Sequence, residues 1–210
     1  MLGIHDLALF IVSGLLLNMM PGPDSLLIML RSGSQGWRAG SVAALGIGTG
    51  TMVHVLAAAL GLSALLSASA ELFAVIKLTG ALYLVYLGIS LLRQKASTAV
   101  AGEGSVALPR LSYGRIYRQG LLTNVLNPKV ALFFLAFVPQ FIDPAAPQKA
   151  LAFIVLGCIF NLNGMIWCHL LAFSTAFASS KLRLPARVGT WLNRVMGGLF
   201  VGLGIKLAAE

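Results

Sequence analysis

Gly14-Leu15-Leu16-Leu17-Asn18-Met19-Met20-Pro21-Gly22-Pro23 lies over Gly120-Leu121-Leu122-Thr123-Asn124-Val125-Leu126-Asn127-Pro128-Lys129 at one constant offset. Each stretch opens on glycine and apolar residues, carries an asparagine at its fifth place, and runs into proline. Similarity at a fixed spacing is the mark of a duplicated structural unit; the competing explanation is chance likeness between leucine-rich helices. A weaker echo joins Gly80 through Leu91, with Leu87-Gly88-Ile89, to Gly197 through Leu207, with Leu203-Gly204-Ile205, once one residue is gapped.

Both stretches sit inside long apolar runs. With 58% hydrophobic and 10% charged residues among 210, the chain carries more apolar surface than a soluble domain of this size buries. A bilayer core takes about 20 apolar residues per helix. Runs near 7–30, 39–66, 70–92, 119–142, 148–178 and 189–207 supply six such spans. The first has only His5 and Asp6 before it and no small-residue cleavage site after it, so it reads as a retained helix. Residues 96–112, poor in apolar side chains, form a cytoplasmic linker between a first three-helix repeat over 1–95 and a second over 113–210. An odd number of spans per half makes the second half enter from the opposite face, the inverted-repeat organisation of many secondary transporters. The fold expected is therefore an all-α integral membrane protein of six transmembrane helices in two inverted three-helix repeats, with helices 1 and 4 broken.

The net charge of +9 would raise nucleic acid as a partner in a soluble protein, but the basic residues lie in short connections between spans. Arg31, Arg38, Arg93, Lys95, Arg110, Arg115, Arg118, Lys181, Arg183, Arg187 and Arg194, eleven of fifteen, follow spans 1, 3 and 5. The positive-inside rule makes those loops cytoplasmic and leaves both termini outside. Cys158 and Cys168 fall ten residues apart on one expected helix and cannot pair with each other. There is no phosphate-binding loop, no HExxH, no Cys/His cluster at metal-ligand spacing and no nucleophile motif. The sequence thus offers no enzyme, no cofactor, no metal site and no direct ATP drive.

Pro21-Gly22-Pro23 removes two backbone donors within span 1, and Asn127-Pro128 breaks span 4 in the same way. Freed N–H and C=O groups must then face protein or a wet cavity, and the second half-helix presents a positive N-terminus. A lone proline kink would more often serve packing; two breaks at matching places favour a site. Asp24 and Lys129 directly follow the two breaks, and charges inside a membrane are functional candidates. Asp24 has a plainer explanation, an acid in the first turn of a half-helix behind Pro23. Lys129 is repelled by that same dipole and needs an anion, either Asp24 or a substrate carboxylate. A zwitterionic amino acid would suit the pair, carboxylate to Lys129 and ammonium to Asp24. Asn18 and Asn124 stand one turn before the breaks, to cap freed carbonyls or to bind substrate. His54 and His169 are candidate proton relays, although no carboxylate lies within a turn of either and hydrogen-bonded packing is an equal use. Asn161 and Asn163 add polarity to a cavity wall, while Gly46, Gly50, Gly198 and Gly202 have the spacing that lets helices pack closely. That spacing makes a homodimer a candidate assembly.

Asn18-x-x-Pro21-Gly22-Pro23-Asp24, followed by Asn127-Pro128-Lys129, Leu132-Phe133-Phe134 and Pro139-Gln140-Phe141, resembles the LysE/RhtB amino-acid exporters over essentially the whole chain. The PGPD form looks closer to the threonine/homoserine-type branch than to the lysine branch. The resemblance implies secondary active export of amino acids, neutral ones such as threonine, homoserine or leucine preferred, from the bacterial cytoplasm across the inner membrane, driven by an ion gradient. Proton antiport with alternating access is the coupling expected. The motif residues carried over are Pro21, Gly22, Pro23, Asp24, Asn127, Pro128, Lys129, Pro139 and Gln140. Two rivals stand beside this: export of a metal or another small solute on the same fold, and a non-transporting membrane scaffold.

Overall fold

The computed structural model describes residues 2–62, 70–93 and 110–177, with helical positions scattered between 194 and 208. Helix α1 spans Leu7–Met19 and stops where Met20, held extended by the proline that follows, turns to φ −64° and ψ 125°. Gly22 is extended too, and α2, Pro23–Gln35, restarts with Pro23 at its first position and Asp24 in its first turn. The two half-helices meet at 54°. Gly36, at φ 85°, ends α2 in a conformation that glycine adopts without strain.

Helix α3 covers Trp37–Ala57 and runs on through a π-helical turn, Ala58–Leu62. Helix α4 covers Ala70–Arg93, and α5 covers Tyr113–Val125. The second break repeats the first in a different key. Asn127 is extended and accepts the Lys129 N–H on its side-chain oxygen, 3.1 Å away, capping α6, Pro128–Leu132. A π-turn, Phe133–Phe137, and a 3-10 turn, Val138–Phe141, continue α6, and the whole is bent by 47° from α5. Helix α7 spans Lys149–Phe177.

Two helices, Trp37–Gly61 and Lys149–Phe177, are long and apolar enough to cross a membrane, and counting each bent pair as one span makes four among the described residues. Of α4, the apolar part is Leu78–Ser90. The 96–112 linker lies outside the described residues except for 110–112, and the expected span near 189–207 is described only at helical positions scattered between 194 and 205. Large apolar side chains such as Val12, Leu26, Leu45, Val53, Leu162 and Ile166 are exposed along these helices, a surface suited to lipid.

Helix α3 is the hub, packed most heavily on α5 and then on α7 and α2. Small residues permit that approach: a Cβ on Gly46 or Gly120 would collide with the backbone carbonyl of Tyr117 or Ala43. Gly198 and Gly202, of the same spacing, meet nothing among the described residues, whereas their neighbours Gly197 and Gly204 press on α4 at Gly88 and Ala81. Close packing there follows which face meets α4, information that the spacing alone does not carry. The core has two parts. Phe10, Phe133, Phe137, Phe141 and Phe160 form an aromatic cluster of stacked, tilted and edge-on rings at one end, and Leu27, Ile28, Ala43, Ile47 and Ile116 fill the other.

Candidate functional site

The two breaks meet. Asp24 Oδ2 accepts hydrogen bonds from Asn124 Nδ2 at 2.9 Å and Asn127 Nδ2 at 3.1 Å, one residue on each side of the second break. Lys129 reaches the other way: its Nζ donates to the carbonyl oxygens of Leu17, 3.2 Å, and Met20, 3.4 Å, in the last turn of α1. The carboxylate thus sits at the positive N-terminus of α2 and the ammonium at the negative C-terminus of α1. Lys129 escapes its unfavourable place at the start of α6 through the carbonyls at the end of α1: that of Leu17, whose helical donor is missing at Pro21 and which otherwise keeps only the Met20 N–H at 3.3 Å, and that of Met20. Asp24 and Lys129 themselves are not within ion-pair distance, for the ion pair found among the described residues is His5–Asp6.

Asn124 is held from three sides. Thr51 Oγ1 donates to its Oδ1 at 3.4 Å, and His54 Nε2 lies 3.0 Å from its backbone carbonyl while stacking on Phe134. Asn18, at the equivalent place in the first half, donates to the Phe160 carbonyl on α7 at 3.4 Å and caps nothing in its own helix. Carbonyl capping at the first break falls to Lys129. Gln140 bonds Ala136 within its own turn, and His169 bonds Met165 within α7; neither lines the cavity.

A cavity of about 30 Å³ lies at this crossing, bounded by Asp24, Asn18, Asn124, Lys129 and Asn161 and by the apolar Leu17, Ile47 and Phe160. Pro21, Gly22, Pro23, Pro128 and Asn127 shape the breaks around it but do not line it. It has room for a water or two and not for an amino acid. Asp24 Oδ1 is buried and without a partner among the described residues. Lys129 has three donors and two acceptors. A carboxylate oxygen and an ammonium proton are therefore left for something else in one small space.

The family model of LysE type translocators matches residues 15–210. This chain belongs to that family. The translocator is 34% identical over 215 residues to an uncharacterized membrane protein of Pseudomonas aeruginosa, covering 99% of this chain and 96% of the relative. It is 27% identical over 206 residues to leucine efflux proteins of Salmonella typhimurium and Salmonella choleraesuis, covering 98% of this chain and 96% of each. No solved structure gives a significant match. As a family translocator built of apolar helices it is a membrane protein and a transporter, not an enzyme. Four cavity residues of the translocator, Gly48, Thr51, Met165 and Cys168, carry no sequence signal beyond Gly48 lying midway between Gly46 and Gly50.

Proposed function

We propose that this translocator exports neutral amino acids from the bacterial cytoplasm across the inner membrane in exchange for protons. The observation that carries the reading is the pair of unlike charges, Asp24 and Lys129, lining one cavity with an unfilled bonding position on each. A zwitterion fits that charge pattern: its ammonium meets Asp24 Oδ1 and its carboxylate meets Lys129 and the N–H groups that open α2. The leucine efflux relatives support a neutral side chain.

Coupling follows from charge balance. With a zwitterion bound, each buried ion has a partner. When the substrate leaves, Asp24 loses its cation, and a proton on the carboxylate restores balance at the lowest cost. Substrate and proton therefore occupy Asp24 in turn, which is antiport.

Alternating access needs two closures, one on each side of the cavity. Arg31, only 7% exposed, donates to Gln119 Oε1 at 3.2 and 2.9 Å, and Gln35 exchanges two hydrogen bonds with the Leu111 backbone. This polar latch ties α2 to α5 at the end rich in basic residues, the cytoplasmic end by the positive-inside rule. At the other end the aromatic cluster is overlain by residues 3–5, which bond Phe141 and Asp143. With the basic end cytoplasmic, both termini would lie outside on this reading.

The break geometry also supports six spans in two inverted repeats, 1–95 and 113–210 about a linker at 96–112. Asn18 packs against Gly164 of α7 as Asn124 packs against Gly50 of α3, the relation that an inverted duplication produces. The exposed Gly198 and Gly202 are the face that a homodimer would use.

Counterflow of labelled amino acids in proteoliposomes tests the reading. Exchange of a neutral amino acid, with net flux reversing as an imposed pH gradient is reversed, is the result expected. Exchange indifferent to the gradient removes the proton, and no exchange across the twenty amino acids removes the function.

A further inference from the structure

We propose that Met165 on α7, folded over Gly48 on α3, sets the size of the substrate side chain, admitting aliphatic groups up to that of leucine. The proposal rests on the amino-acid export reading and adds to it the residues that choose among neutral substrates.

Once the charged groups hold the ammonium and carboxylate, the substrate side chain must lie against apolar lining, which Leu17, Ile47, Phe160 and Met165 offer. Three of these are fixed. Leu17 and Ile47 are 1% and 5% exposed within the two core clusters, and Phe160 is stacked on Phe133 at 4.5 Å and edge-on to Phe134. Met165 is different in kind. It is half-buried, unbranched and free to turn about three bonds. It also rests where another residue is lacking a side chain, since a Cβ on Gly48 would lie 2.5 Å from Met165 Sδ and 3.4 Å from its Cγ.

The closed cavity of about 30 Å³ must therefore grow, and among these four walls only the thioether can retract without disturbing packed core. How far it retracts fixes the volume offered. In an apolar pocket one methylene is worth about 10–200-fold, so the site ranks aliphatic substrates by bulk. Gly48 is the notch that lets Met165 stand back, and filling it drives the thioether into the cavity.

The test is counterflow by the purified protein in proteoliposomes with labelled alanine, valine, leucine and phenylalanine. Met165→Ala is expected to raise the phenylalanine-to-leucine rate ratio about tenfold or more, and Gly48→Ala to raise alanine over leucine by a similar factor, the range that methylene-sized changes give in apolar pockets. Met165→Leu, nearly equal in volume, keeps the wild-type order. A variant that moves nothing is read by the shift in thermal midpoint that each amino acid produces, since binding to the folded state stabilises it. Wild-type exchange with the same rank order in Met165→Ala and Gly48→Ala overturns this proposal alone. A wild type silent toward all four amino acids, in exchange and in thermal shift, overturns the export reading together with it.

Discussion

Asp24 and Asn124 are 100 residues apart in the chain, and their side chains meet at 2.9 Å across two broken helices. The amide fixes one carboxylate oxygen and turns the other, buried and unpartnered, toward the cavity. Asn127 adds a second donor to the same oxygen. A carboxylate held by two neutral amides is oriented but not neutralised, so it can still pair with a cation.

Asp24→Asn keeps the size of the side chain and removes the charge. Net pH-driven export is expected to be abolished, since an amide can neither carry the proton nor pair with the ammonium, while membrane insertion is unchanged. Export assays beside quantified membrane protein check this. Normal export by the variant would show that the charge is not required.

Asn124→Ala and Asn18→Ala separate the two halves. Asn124 is 1% exposed and holds Asp24, whereas Asn18 makes one long bond to the Phe160 carbonyl. We expect Asn124→Ala, which removes a bond to a charged group worth about 1.5–3 kcal/mol, to lose export by at least about tenfold, and Asn18→Ala, which removes a long neutral bond at the low end of about 0.5–1.5 kcal/mol, to stay within about threefold of wild type. Initial rates of counterflow at matched protein levels decide it.

The lysine has a structural task as well as a proposed binding one. Lys129→Met strands the Met20 carbonyl and leaves that of Leu17 with the Met20 N–H alone, at about 1–3 kcal/mol for a buried group left unsatisfied. The expected outcome is a lowered thermal midpoint in detergent together with lost transport. Lys129→Arg keeps a cation near those carbonyls and is expected to recover most of the stability. Equal midpoints for Lys129→Met and wild type would mean that the ammonium does not hold the break together.

Much of this architecture was legible in the sequence, because proline acts locally: Pro21, Pro23 and Pro128 remove donors whatever surrounds them, and the repeat put Asn18 and Asn124 at matching places. Partners were not legible. Nothing in the residue order says that Lys129 bonds backbone carbonyls more than a hundred residues earlier, since carbonyls have no sequence signature. Gly46 and Gly198 share a spacing yet differ in surroundings, because which helix stands opposite is decided by the fold. Gln140 belongs to a family-like motif and bonds only its own turn. Met165 and Cys168 have no motif and reach the cavity through helix phase, as residues one turn apart on α7.

Gly46 and Gly198 can be compared directly. Gly46→Val is expected to remove folded protein from the membrane, since a Cβ there collides with the Tyr117 carbonyl, and Gly198→Val to accumulate as folded chain, whatever its effect on a dimer, because its Cβ meets nothing among the described residues. Monodispersity after detergent extraction distinguishes them.

The polar latch supplies the last prediction. Arg31 is a buried guanidinium whose partner is the neutral Gln119, so Gln119→Ala leaves a charge unsatisfied in the closed form. The closed form loses about 1.5–3 kcal/mol relative to a form in which water reaches Arg31, and the open population rises about tenfold or more. Cys168 lines the cavity and reports that opening. In a Cys158→Ala background, a charged thiol reagent applied to inside-out vesicles should modify Cys168 at least about tenfold faster in Gln119→Ala than in its parent, following the same population shift. Saturating leucine should slow both reactions, because a bound zwitterion fills the space that the reagent must enter. Faster labelling in right-side-out vesicles instead would place the latch on the outer face and reverse the assigned orientation, and equal labelling from both sides would show that Arg31–Gln119 closes neither.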